Sequence, residues 1–386
     1  MKIITNARIL TMTDAGEIQN GYIIIKDGKI SEVGHMPISA CTDAEIIDAK
    51  GSIVTPGFID AHSHIGMWED SLNFEGSDGN EETDPITPHL RAIDAVNPMD
   101  RAFAEAARAG VTTVITGPGS ANPIGGQLLA MKTVGICVDK MKICEPVAIK
   151  MAFGENPKSV YNDKNQTPMT RMAVAAQIRE ALFKAAEYME QIEKSENDED
   201  EERPDFDIKC EALLPVMRGE LPLHAHAHRA DDIFTAIRIA KEFNLKLVLV
   251  HATEGHLICN ELKEMNIPVL AGPILTDRSK PELKNMSEDA PATLTSAGVA
   301  TALITDHPET PQKHLALCAA VAAKHGMSKK DALRAITCIP AQICGICDRV
   351  GRISVGLDAD IVIWRGEPLD IDSSPKHVFC NGTEVF

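Results

Sequence analysis

TPGFIDAHSH, residues 55–64, is the stretch on which the reading of this chain turns. Phe58, Ile59 and Ala61 make a short apolar strand that ends on His62 and His64. Side chains two residues apart on a strand point to the same face, so both imidazoles look one way. Converging neutral imidazoles at a strand end are natural ligands for a divalent first-row metal. An HxH alone arises often by chance. Preceded by PGFID and placed directly after a run of small strands, it becomes specific.

Upstream of it, KIITNARIL, GYIIIKDGKI with its Asp27-Gly28 turn, and AEIIDAKGSIV are short β-type runs divided by turns. The C-terminal stretches GRISVGLDADIVIW and HVFCNGTEV repeat that texture. Two half-sheets at opposite ends of a chain can pair, because termini often lie close together. The expected small β-sandwich domain therefore takes residues 1–55 and 346–386.

Downstream the pattern changes. GVTTVIT, PVAIKMAF, LPLHAHAH, LKLVLVHA, IPVLAG and ATALIT are apolar, β-branched runs. Between them fall helical stretches such as NPMDRAFAEAARA, RMAVAAQIREALFKAAEYMEQIEK and RADDIFTAIRIAKEF. Strands alternating with helices indicate parallel βαβ units. Over residues 56–345 they fit an α/β (β/α)8 barrel better than an open sheet.

In that frame the histidines fall at strand ends. HAHAHR offers His224, His226 and His228 on one face; LVLVHATEGH ends on His251; TALITDHP ends on Asp306 and His307. The C-terminal rim of barrel strands is where catalytic groups gather. Lys150, inside EPVAIKMAF, must be neutralised or paired, since burying a lone ammonium is costly. Glu155 at the rim is one candidate partner.

These residues resemble the metal-dependent amidohydrolase superfamily, closest in texture to its imidazolonepropionase-like branch. The resemblance runs through the split β-domain, PGFIDxHxH, the later His and Asp strands and the closing GxIxxGxDADIVIW. It implies a distorted TIM barrel binding one or two divalent metal ions, typically zinc. By that resemblance His62, His64, His226, His251 and Asp306 are the metal and catalytic set. His226 is preferred to His224 and His228 because HAHR lines up with the HAxx strand ending of relatives. AIKMAFGENP resembles a strand on which relatives carry a carboxylated lysine between two metals, so Lys150 is a sixth candidate ligand. Glu155 is an alternative carboxylate ligand.

The chemistry follows from this set. A divalent cation lowers the pKa of its bound water toward ~7 and polarises a carbonyl. Asp306 beside that water is the natural general base, later passing the proton to a leaving amine. The expected reaction is attack of metal-bound hydroxide on a C–N bond of a small-molecule amide or cyclic amide. Deamination of a nucleobase-like amidine is the alternative, weakened because such relatives carry an acid soon after the fifth-strand histidine, where this chain has HAHR. A catalytically silent scaffold barrel is a third reading, opposed by the filled ligand positions.

Substrate contacts are drawn from His228 and Arg229, past the presumed ligand, with the arginine suited to a carboxylate. The glycine-rich TGPGSANPIGGQ, residues 116–127, lacks GxxxxGK[ST] and is no nucleotide loop. Its amides, Gln127 or Lys132 remain candidates for a substrate carboxylate. Glu75, Asp78 and Glu81 lie in a long polar insertion after the HxH, and His256 follows His251.

Composition sets the outer limits. The net charge of −18 disfavours nucleic acid and anionic membrane as partners. Its densest run, SENDEDEERPD at 195–205, reads as a solvated loop. No uninterrupted apolar run reaches about 18 residues, and the N-terminus reads as a strand, not a signal peptide. Ten scattered cysteines, including the isolated CxxC of Cys344 and Cys347, read as reduced thiols of a cytoplasmic protein. A homo-oligomer is expected from the resemblance.

Overall fold

The computed structural model describes residues 1–38, 44–70, 72–198 and 200–386; Cys41 and Glu199 lie outside them. Two eight-stranded sheets organise the chain. The first takes β1 (Lys2–Leu10), β2 (Glu17–Lys26), β3 (Lys29–His35), β4 (Glu45–Asp48) and β5 (Ile53–Pro56) from the N-terminal part. From the C-terminal part come β14 (Ile361–Trp364), β15 (Pro375–Cys380) and β16 (Thr383–Glu384). The join is β5 against β14, with Val54 opposite Ile363. The sheet branches at β1, which pairs β4 along its first half and β5 along its second. Ile4, Ile9, Ile23, Ile25, Val54, Ile361 and Phe379 from the different strands fill one apolar cluster.

The second sheet is the barrel. Its strands are β6 (Phe58–Ser63), β7 (Val111–Thr116), β8 (Ile124–Lys132), β9 (Lys142–Ala152), β10 (Leu223–Ala227), β11 (Leu247–His251), β12 (Val269–Ala271) and β13 (Thr301–Leu303), hydrogen-bonded in chain order. Helices alternate with them, including Arg101–Arg108, Arg171–Asn197 and Ala230–Glu242. Their starts are built as the residues dictate: Asp100 and Thr170 accept backbone N–H bonds from Ala102 and Ala173. The distorted TIM barrel with an added β-rich unit is therefore what the chain adopts.

The distortion has a location. β8 runs antiparallel to both β7 and β9. The reading of residues 116–127 as a loop is corrected here, because Ile124–Gln127 already belong to this strand. Glycine disguised it. A Cβ at Gly126 would lie 2.6 Å from the Leu90 carbonyl oxygen, so the close approach of that backbone requires glycine.

The barrel closes between β13 and β6 through side chains as much as backbone. Asp60, fully buried, accepts from the Thr305 N–H at 3.1 Å, the Thr305 hydroxyl, and Gln312 Nε2 at 2.7 Å. Burial raises its carboxyl to about 7. Beside it, Asp306 N donates to His62 O at 3.3 Å and His64 N to His307 O at 2.9 Å. The same seam that shuts the barrel thus locks the HxH against Asp306.

Candidate metal centre

Strand alternation sorts the β10 histidines. Leu223, Ala225 and Ala227 pack outward against the helices, which turns His224 and His226 into the barrel. His224 sits level with Lys150 of β9, below the rim, with neither ring nitrogen hydrogen-bonded. His226 and His228 reach the cavity at the mouth.

His251 needs a different device. Its register partner is Ala227, an outward position, while Val248 and Val250 of its own strand fill the interior. His251 at φ 70° and Ala252 at φ 45° leave the β region, and this left-handed turn swings the ring onto the cavity wall. Asp306 also lies at φ 54°. Such conformations cost about 1 kcal/mol or more for residues with a Cβ and cluster at functional sites.

The donors converge. Asp306 Oδ1 lies 3.4 Å from His62 Nε2 and 3.3 Å from His64 Nε2. Lys150 Nζ lies 2.9 Å from His62 Nε2. His62, His251 and Asp306 form one group with ligand atoms within 4.8 Å of one another; His226, His228 and His251 form a second. Backbone carbonyls fix two tautomers. His64 Nδ1 meets Gly117 O and His251 Nδ1 meets Gly272 O, both at 2.7 Å. A carbonyl only accepts, so each Nδ1 carries the proton and each Nε2 presents its lone pair to the cavity.

Electrostatics keeps the set ready for a cation. Burial pushes His62, His226 and His228 well below the ordinary imidazole value, His224 to about 3 and His251 to about 4. Burial alone would raise Asp306, but His251 and His64 hold it below the usual carboxylate value. Lys150 falls to about 7, driven by burial and opposed by Asp306. Neutral imidazoles whose Nε2 atoms converge, an ionised carboxylate and an Asp306 Oδ1 that lacks a hydrogen bond are a donor set that fits a divalent metal.

Other candidates fall elsewhere. Arg229 is turned away in a two-bond ion pair with Asp231, at 2.9 and 2.8 Å, and does not line the cavity. Gln127 sits on β8, its amide donating to Pro88 O at 3.3 Å, outside the cavity wall. Lys132 is carried by β8 to the opposite end of the barrel, against Asp358 and Asp360. Glu155 meets the site through its backbone N–H, which donates to Glu282 Oε2 at 3.0 Å. His307 Nδ1 accepts from Gln312 N, and His256 binds Thr253 O. Asp78 and Glu81 line a neighbouring cleft of about 720 Å³, which shares Trp68, Asn80 and Gly119 with the His-lined cavity of about 510 Å³.

Sequence reasoning missed Glu282 and Lys280. Glu282 is buried at 1% exposure, with Oε1 3.6 Å from His228 Nε2, 3.9 Å from His226 Nε2 and 2.8 Å from Lys280 Nζ. Both lie in SKPELKN, a polar stretch with nothing to distinguish it from a surface loop. The nine described cysteines are free, and no helix among the described residues is long and apolar enough to cross a membrane.

Comparison with known proteins agrees with this geometry. The pattern defining the Amidohydrolase family matches residues 53–385. A solved amidohydrolase from Thermotoga maritima is 43% identical, with each chain covered completely and a TM-score of 0.96. The amidohydrolase tasK of Hapsidospora irregularis is 31% identical over 95% of this chain, which spans only 40% of that relative. An imidazolonepropionase from Colwellia psychrerythraea is 25% identical over 93% of this chain and 90% of its own length.

Proposed function

This chain belongs to the amidohydrolase family, in its imidazolonepropionase-like branch, and from that premise we propose which of its residues carry out metal-dependent C–N hydrolysis. The observation that supports the assignment is the convergence of neutral His Nε2 atoms and an ionised Asp306 on one cavity wall. His62, His64, His226, His251 and Asp306 are the proposed ligands, zinc the proposed metal, and Lys150 a further ligand once carboxylated. Carboxylation joins Lys150 Nζ to the carbon of carbon dioxide with loss of one proton. A bound divalent cation supplies an acidified water and polarises the scissile carbonyl.

The chain's own groups do the rest. Asp306 Oδ1 takes the proton from the attacking water and returns it to the leaving nitrogen as the C–N bond breaks. His62 and His64, held by the barrel seam, place their Nε2 lone pairs beside that oxygen, where the three would share one cation. Lys280, Ser120 and Asn156 line the cavity and offer donors to an anionic substrate end, the role expected of Arg229. The substrate class this fits is a small carboxylate-bearing amide: an N-acyl amino acid, a dipeptide or an imidazolone-like ring. A cytoplasmic, self-associating enzyme is the setting that the reduced cysteines and the family resemblance favour.

The test is a panel of such amides and of amidines, with carboxylate and ammonia release followed on metal-loaded protein. Amide hydrolysis reduced about 10²- to 10⁴-fold in Asp306→Asn supports the assignment. Ammonia release from amidines alone would replace it with deamination.

A further inference from the structure

Tetrahedral ligation at about 2.0–2.1 Å puts neighbouring ligand atoms about 3.3 Å apart. Asp306 Oδ1 stands at 3.4 and 3.3 Å from His62 and His64 Nε2, and this inner group already meets that spacing. A single Nε2 lone pair serves one ion, and His251, which belongs to both groups at the mouth, goes to the outer one, since Asp306, His62 and His64 make the inner group without it. The outer group must therefore be completed from its own side.

There the structure supplies an acid. Glu282 Oε1 faces His228 Nε2 at 3.6 Å and His226 Nε2 at 3.9 Å, a few tenths of an ångström from ligand spacing. Glu282 is held in that pose by its other oxygen, which accepts the Glu155 N–H. Gly154 makes room for it: at φ 85°, a Cβ there would lie 2.7 Å from Glu282 Oε2 and 2.9 Å from Asp232 Oδ2. His228 is aimed by its own second contact, Nδ1 to Thr253 Oγ1 at 2.7 Å, which leaves Nε2 directed at the acid. The three rings of His226, His228 and His251 stand 4.6 to 4.7 Å apart, centre to centre. On the side of Glu282 where a metal would sit, the structure has a cation already, the Lys280 ammonium, which also reaches Asn156 Oδ1 at 2.9 Å.

We propose that His228 and Glu282, with His226 and His251, form an outer divalent-cation position at the barrel mouth that holds its ion without Lys150. The proposal rests on the metal-centre reading above and adds two ligands to it. It makes the second ion independent of lysine carboxylation. An ion bound there would replace Lys280 as the partner of Glu282, leaving the ammonium on Asn156 Oδ1.

Metal content and chelator competition of the full-length protein, loaded with zinc alone, test this. The wild type should hold two ions, and Lys150→Met should keep the outer one. Glu282→Gln and, independently, His228→Asn should weaken retention of one ion by about tenfold or more. Lys280→Met should retain both, which separates a ligand role for Glu282 from a mere partnership with Lys280. Two ions held with unchanged competition by both Glu282→Gln and His228→Asn would overturn the proposal while leaving the metal centre standing. So would loss of both ions in Lys150→Met. A wild type holding no metal would sink the metal centre itself.

Discussion

Two buried polar clusters sit at opposite ends of one barrel, and they are built on opposite rules. At the floor, Lys132 Nζ meets Asp360 at 2.7 Å and Asp358 at 3.0 Å. Asp358 also takes Arg349 and Lys29, and Asp360 Oδ1 takes the Asn381 N–H. The charges there are answered by protein, at side-chain exposures of 2 to 4%. At the mouth, His62, His226 and Asp306 keep atoms with no hydrogen-bond partner, and so does His224 one layer below. A buried network that is satisfied locks two parts of a fold together; one left short of partners is poised for something the chain does not itself supply.

The difference predicts different losses. His251→Ala, removing a ring that belongs to both mouth groups, should cost one of the two ions and the activity with it while the fold persists. Retention of both would break the contrast outright. Asp306→Asn should cost about 10²- to 10⁴-fold in turnover with the circular dichroism unchanged, as expected for removal of a general base. At the floor the loss should be stability instead. Asp360→Ala leaves Lys132 buried beside a weakened set of partners, and about 3–5 kcal/mol should disappear from the denaturant unfolding free energy. Its metal content per folded chain should not change.

Acid sharpens the comparison. Lys150 titrates at about 7 in the fold against an ordinary 10.5, and His251 and His224 at about 4 and 3 against 6.5. Unfolding lets each bind a proton that the folded state refuses, so stability falls as pH drops from 10.5 toward 7, and again from 6.5 toward 3. Asp358 is depressed from 3.8 to about 2, so its contribution is whole above 3.8 and lost as pH falls through 2. Asp60, raised from 3.8 to about 7, opposes this by gaining stability as pH falls from 7 toward 3.8. His62, His226 and His228 add to His251 and His224 and outnumber it. The denaturant midpoint of metal-free protein should therefore decline between pH 6.5 and 4, and His224→Gln should flatten that slope. A midpoint constant over that range would contradict neutral burial of the mouth histidines. Arg229→Ala, outside both clusters, should change stability by no more than about 0.5 kcal/mol and leave kcat/KM unaltered.

Which parts were legible in the sequence follows the same division. His62, His64, His226, His251 and Asp306 announce themselves because each stands where an apolar strand ends, and strand ends are written locally. The split sheet is legible for the same reason, in Ile- and Val-rich runs at both ends of the chain. β8 was not, since Gly126 answers to a tertiary approach, that of the Leu90 carbonyl, and beside Gly125 looks like a loop residue without it. Glu282 was hidden because its burial comes from packing against the loop after β9, far away in the chain. Arg229 was overvalued because adjacency to a ligand says nothing of an Asp231 ready to hold it.

Metal analysis of the wild-type protein, purified with bicarbonate and without added metal, tests the central claim most directly. About two divalent equivalents per chain, removed together with activity by chelation and restored by zinc, is the predicted result for a two-ion hydrolytic centre. No metal bound, even after reconstitution, would contradict it.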